Sequence, residues 1–209
     1  MQAFNLQKLL SRLEQPLPGR TAQLKMAPAQ RREELERIIN LKNAKESAVL
    51  IILFEKELEL HTLFIHRSEY DGTHSGQIAF PGGKKDTSDK DLVITALRET
   101  HEELGIQPSK FQILGPLTEL YIPPSNFLIK PFVAYHTGKP HYEINPQEVQ
   151  SVIEVKMSDL ENLHHRTSSE FYVSGSQTPI TAPCFQVQGF KIWGATAMIV
   201  SELLEILAE

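Results

Sequence analysis

Cysteine is nearly absent from this chain. Cys184 is the only one in 209 residues, so no intramolecular disulfide can form and no multi-cysteine zinc site can be assembled. Positive charge is not in excess either. With 21 Lys and Arg against 26 Asp and Glu, the net charge is -5, and the basic surplus of a nucleic-acid binder is missing. A small anionic ligand must then be met by local positive charge or by a metal ion. Long apolar runs are missing as well. The longest, residues 48–54, falls far short of the roughly 20 residues that span a bilayer. Residues 1–20 mix Leu with Gln, Lys, Arg and Glu, unlike the apolar stretch of a secretory signal. The final Leu207, Ala208 and Glu209 are no peroxisomal address. These absences predict a cytoplasmic protein with neither nucleic acid nor membrane as a partner. They do not separate a monomer from a homodimer.

What is present suffices for a real core, since 41% of the side chains are hydrophobic. Phe4, Leu6, Leu9, Leu10 and Leu13 recur at helical spacing, and Pro16, Pro18 and Gly19 end that segment. Residues 31–40 are charged and helix-prone, with Leu35, Ile38 and Ile39 on one side. No chemistry-bearing cluster occurs there. Residues 1–46 are therefore expected to be an N-terminal helical extension packed on a domain of residues 47–209. Residues 47–54 and 58–66 read as paired strands turned by Glu55, Lys56 and Glu57. Residues 89–104 read as a helix closed by Gly105. Strands are expected at 111–120, 127–136 and 151–157, with weaker ones at 171–173 and 184–187, and a terminal helix at 193–208. The outline is a mixed sheet with helices against it, α/β or α+β.

The most informative stretch is Ala96-Leu-Arg-Glu-Thr-His-Glu-Glu-Leu-Gly-Ile106. At about 100° per residue, Val93, Ala96, Leu97, Thr100 and Leu104 gather on one helix face, and Glu99, Glu102 and Glu103 share an adjacent arc. Like charges at i,i+3 and i,i+4 destabilise a helix by tenths of a kcal/mol each, and the C-terminal half of a helix disfavours anions further. A divalent cation would turn that cost into binding energy. Hard oxygen ligands without Cys or an adjacent His pair suit Mg²⁺ or Mn²⁺ better than zinc. A Glu-rich arc alone is more often a solvated surface, but here Gly82-Gly83 precedes the helix and allows close backbone approach to a ligand.

Gly83, five residues, Asp89, and then Arg98-Glu99-Thr-His-Glu102-Glu103-Leu-Gly105-Ile106 resemble the Nudix box, Gly-x5-Glu-x7-Arg-Glu-U-x-Glu-Glu-x-Gly-U with U apolar. Three departures occur. Asp89 replaces Glu, eight residues rather than seven separate it from Arg98, and Thr100 fills an apolar slot. The resemblance implies a Nudix-like mixed sheet sandwiched between helices. It also implies Glu99, Glu102 and Glu103 as metal ligands holding Mg²⁺ or Mn²⁺, with Arg98 orienting them, and hydrolysis of a diphosphate linkage in a small nucleotide substrate.

Leu63-Phe-Ile-His-Arg67-Ser68, Gly76 and Phe80-Pro81-Gly82-Gly83 further resemble the signature of coenzyme A diphosphatases, with Gly72 standing where that signature has Arg. This implies coenzyme A as substrate, giving 4′-phosphopantetheine and adenosine 3′,5′-bisphosphate. Arg67, His74, Gly82, Gly83, Lys84 and Glu148 are candidate substrate-binding residues. His74 or Lys84 could replace the missing arginine, or be ordinary loop residues. Glu148 matches a position where the wider family carries an extra acid, or is surface charge. ADP-ribose, dinucleotides and nucleoside triphosphates remain alternative substrates, and a non-catalytic nucleotide-binding module is the alternative from another class.

Overall fold

The computed structural model describes residues 5–29, 43–68, 76–172 and 178–208. In chain order these form α1 (Leu6–Leu13), α2 (Gly19–Leu24), β1 (Lys45–Lys56), β2 (Glu59–Arg67), β3 (Ile78–Ala79), β4 (Gly82–Lys84), α3 (Leu92–Leu104), β5 (Phe111–Pro116), β6 (Leu120–Ile122), β7 (Phe127–His136), β8 (Val149–Lys156), α4 (Met157–Glu161), β9 (Arg166–Phe171), β10 (Ile180–Val187), β11 (Phe190–Trp193) and α5 (Gly194–Ala208). Residues 48–54 of β1 are apolar without interruption because both faces of the strand are covered there. Ala48, Leu50, Ile52 and Phe54 enter the core layer shared with Ala96 and Leu104 of α3. Ile51 and Leu53 enter the opposite layer, shared with Leu9 of α1 and Met198, Leu203 and Ile206 of α5.

An eight-stranded sheet runs in the order β3-β2-β1-β7-β5, with β4 beside the start of β1, β6 beside β7 and β8 beside β2. β1 and β7 are parallel, and the other pairs are antiparallel. β9, β10 and β11 form a separate antiparallel sheet. The fold is thus the expected mixed sheet with helices on both faces, α+β in class. Among the described residues no helix is long and apolar enough to cross a membrane.

Several boundaries differ from the sequence reading, each for a local reason. Glu57 and Leu58, at φ 55° and 63°, make the two-residue hairpin, so β1 runs on through Lys56. Pro16, Pro18 and Gly19 end the first helix as expected. Pro18, at φ -57° and ψ -30°, also opens α2, because a proline fits a helix start. The third helix begins at Leu92 rather than residue 89, since Asp91 is extended (φ -153°) and its side chain accepts the Ile94 N–H. Residues 111–120 are two strands, with Leu117–Glu119 between them. Gln188 and Gly189, both at positive φ, turn β10 into β11, a strand the sequence does not signal; it takes Trp193, so the terminal helix begins at Gly194 rather than residue 193. The expected helix at 31–40 lies outside the described residues.

The described part of the N-terminal segment is bound to the domain by buried polar contacts. Gln23 Nε2 donates to Thr118 O (3.0 Å) and to Glu202 Oε2 (2.8 Å) on α5, and Ser201 Oγ donates to Ala22 O (2.8 Å).

Candidate active site

α3 brings the carboxylates to one edge of the sheet. Its face of Ala96, Thr100 and Leu104 is buried on β1, with Val93 and Leu97 packed beside it. Thr100 fits the apolar slot because its hydroxyl is satisfied within the helix, donating to Ala96 O at 2.7 Å. Gly105, at φ 70°, closes the helix, and its N–H donates to His101 O.

Glu103 turns inward and is 1% exposed. Its Oε2 accepts the Gly82 N–H at 2.9 Å, and its Oε1 faces Arg67 Nη1 at 3.3 Å. Burial pushes its pKa up to about 8 against the pull of Arg67 and the Gly82 N–H, and the charges of Glu99 and Glu148 push the same way. Glu99 is also raised by burial, offset in part by Arg98, with Glu102 and Glu148 adding repulsion. Glu148, just before β8, thus faces the same cluster. Its carbonyl accepts the Ser68 N–H at 2.9 Å.

Both glycines are required by close packing, Gly83 by a carboxylate and Gly82 by the backbone of β1. A Cβ on Gly83 would lie 2.3 Å from Glu99 Oε2, and one on Gly82 (φ 146°) would lie 2.3 Å from Ala48 O. Sequence reasoning expected the glycine pair to admit a ligand. Its immediate role is to admit Glu99 and to aim an N–H at Glu103. Lys84 joins the site through its backbone carbonyl, which accepts from Arg98 Nη2 at 3.1 Å, while its side chain is exposed. His74 and Gly72 lie outside the described residues.

Arg98 spans the cluster. Nη1 is 2.9 Å from both Glu99 Oε1 and Glu102 Oε2. The opposite edge grips Asp89 in a fork, with Nε to Oδ1 at 3.0 Å and Nη2 to Oδ2 at 2.9 Å. Asp89 Oδ2 also accepts from Asp86 N and Thr95 Oγ1, both at 2.9 Å. The Arg98 guanidinium, helped by these donors, holds the Asp89 carboxyl well below the usual range despite burial. Asp89 makes this fork from outside the helix, which begins at Leu92. Sequence reasoning missed this pairing, and it also missed Thr95 and Asn145.

Hard oxygen donors from Glu99, Glu102, Glu103 and Glu148 fit a divalent cation. The buried Glu103 carboxylate is short of positive charge, with one guanidinium at 3.3 Å. Among the described residues no three ligating side chains are already drawn to one point. Arg98 instead ties Glu99 and Glu102 in ion pairs.

Residues 44–173 match the family described as the NUDIX domain, more than half of the chain. The chain belongs to the Nudix family. The Nudix hydrolase NudL of Enterobacter sp. (strain 638) is 33% identical over 165 residues, covering 77% of this chain and 82% of that protein. The mitochondrial coenzyme A diphosphatase NUDT8 of Mus musculus is 34% identical over 151 residues, covering 71% of this chain and 70% of that protein. The same-named protein of Homo sapiens is 30% identical over 194 residues, 92% of this chain and 75% of that protein. Among solved structures, the Nudix hydrolase RenU from M. smegmatis superposes with a TM-score of 0.56 at 16% identity, over 79% of this chain and 86% of that one. The NUDIX domain of Shewanella oneidensis NrtR, complexed with ADP ribose, gives 0.51 at 16% identity, over 84% and 97%. These two bear on the fold alone. With the family established, this Nudix protein is an enzyme of the pyrophosphatase kind.

Proposed function

We propose that this Nudix protein hydrolyses coenzyme A at its diphosphate linkage, giving 4′-phosphopantetheine and adenosine 3′,5′-bisphosphate, with Glu99, Glu102 and Glu103 holding Mg²⁺ or Mn²⁺. The observation that carries the reading is the joining of two sequence signatures in space: Arg67 and Gly82 both contact Glu103 of α3. The names of the mouse and human relatives support the same substrate. Buried, unpaired Cys184 accords with a cytoplasmic setting.

When bound, the cation supplies charge neutralisation on the phosphoryl oxygens and acidifies bound water. The chain's own groups do the rest. Asp89 fixes Arg98, and Arg98 fixes Glu99 and Glu102. The Gly82 N–H holds Glu103 in one rotamer, and Arg67 balances part of its charge. Arg67 Nε is buried without a hydrogen-bond partner among the described residues. Water adds to one phosphorus, the bridging P–O bond breaks, and a carboxylate of the cluster takes the proton.

The test is kcat/KM for coenzyme A against ADP-ribose in Mg²⁺ or Mn²⁺, with an arm in excess EDTA. Coenzyme A is expected to be preferred. The Gly72→Arg variant should raise its kcat/KM more than that for ADP-ribose, because a charge-assisted hydrogen bond contributes about 1.5 to 3 kcal/mol. A tenfold or greater preference for ADP-ribose or a nucleoside triphosphate, on the scale of about 1.4 kcal/mol per decade, would remove coenzyme A and leave the diphosphate hydrolase. Full activity in EDTA would remove the metal.

A further inference from the structure

We propose that Asn145 is a positioning residue that brackets the end of α3 to the turn before β8 and holds the Glu148 carboxylate against Glu99 and Glu103. This rests on the reading of that cluster as a cation site. Residues 137–148 contain no helix or strand, yet Asn145 meets the helix end through its backbone and the turn through both its backbone and its side chain. Its N–H donates to Glu103 O at 2.9 Å, next to the Glu143 N–H on Leu104 O at 2.8 Å, so two orphan carbonyls of the helix end are capped. Its carbonyl accepts from Glu148 N (3.0 Å) and Val149 N (2.8 Å). Its side-chain Oδ1 accepts from Gln147 N at 3.1 Å, and Nδ2 donates to Glu148 Oε1 at 3.3 Å.

One residue therefore contacts the backbone of Glu103 and the carboxylate of Glu148. Pro146 restricts Asn145 to extended backbone. Its carbonyl accepts from Ser68 Oγ at 3.1 Å, and the Ser68 N–H is on Glu148 O, so the turn is also fixed to the end of β2 beside Arg67. Glu148 is exposed and repelled by Glu99 and Glu103. A free side chain would swing into solvent. A neutral amide restrains it while leaving its charge for a cation, whereas Lys or Arg at the same place would neutralise it.

The test is a double-mutant cycle, Asn145→Ala, Glu148→Gln and the pair, read by direct Mn²⁺ titration of the substrate-free protein with electron paramagnetic resonance. Each single change is expected to weaken Mn²⁺ by about tenfold, the lower end for residues that orient metal ligands. The pair should be no more than about twofold weaker than Glu148→Gln alone, because Asn145 acts through Glu148. Additive losses, or Asn145→Ala with wild-type affinity, would overturn the proposal. Should Asn145→Ala not fold, Asn145→Ser keeps a turn-forming hydroxyl and is read by the same criteria. Glu103→Gln separates the two readings. If it also leaves Mn²⁺ binding intact, the cation site itself is wrong. If it abolishes binding while the Asn145 variants do not change it, only the bracket is wrong.

Discussion

Glu103 and Glu202 are equally hidden, at 1% and 0% exposure, on helices packed against opposite faces of one sheet. Around Glu202 both oxygens accept from neutral donors, Gln23 Nε2 at 2.8 Å and Thr118 N at 3.2 Å. It joins α2, α5 and the segment before β6 as a polar rivet. Around Glu103 the donors are Gly82 N and Arg67, and the carboxylates of Glu99 and Glu148 crowd it. A buried acid with a neutral donor on each oxygen serves the fold. One crowded by acids is a place where the fold accepts a cost that a cation can repay.

The same substitution at the two positions should sharpen that contrast. Glu103→Gln is expected to lower kcat by at least about a hundredfold, since shape is kept and charge is lost. The metal-free melting temperature should fall less than in Glu202→Gln, because relief of the crowding by Glu99 and Glu148 offsets the amide donor turned toward Gly82 or Arg67. Glu202→Gln is expected to cost about 1–3 kcal/mol in urea denaturation, because its amide turns a donor toward Gln23 or Thr118. Its kcat/KM should stay within about threefold of wild type under conditions where the protein is folded. Loss of stability at Glu103 with full activity, or the reverse at Glu202, would break the comparison.

Asp89 is an intermediate case, buried and satisfied, but acting on the site through Arg98. Asp89→Asn is expected to lower kcat by about tenfold, as Arg98 loses its anchor and the carboxylates lose registration. It should also alter acid stability. The folded pKa of Asp89 lies below its ordinary 3.8, so its stabilising contribution is present above that value and is lost as the pH falls through the folded one. Acid unfolding followed by circular dichroism should therefore be shallower below about pH 4 in Asp89→Asn than in wild type.

The helix of Glu99, Glu102 and Glu103 was legible because its 3.6-residue period put the acids beside an apolar face, and because Gly105 and the box spacing marked the register. The buried strand β1 was legible from its unbroken apolar run, rich in β-branched residues. The Asp89–Arg98 clamp was not, since it depends on a turn at residues 87–88 and on the helix starting only after Asp91 caps it. α2 and β11 were missed because six- and four-residue elements carry little periodicity of their own. The Asn145 bracket was hidden for a different reason. Asn145-Pro146 reads as an interruption between strands, and only the tertiary approach of α3 gives its amide something to hold.

The most direct measurement of the central claim is a Mn²⁺ titration of melting temperature on wild type, Glu202→Gln and Glu103→Gln, without substrate. Ligands that bind only the folded state stabilise it by about 2.7 kcal/mol at a hundred times their dissociation constant, roughly 5–10 °C for a chain of this size. Wild type and Glu202→Gln should both rise by that order from their different starting points, while Glu103→Gln should rise little. Equal rises in all three proteins, or none in wild type, would contradict the assignment of this helix face to a divalent cation.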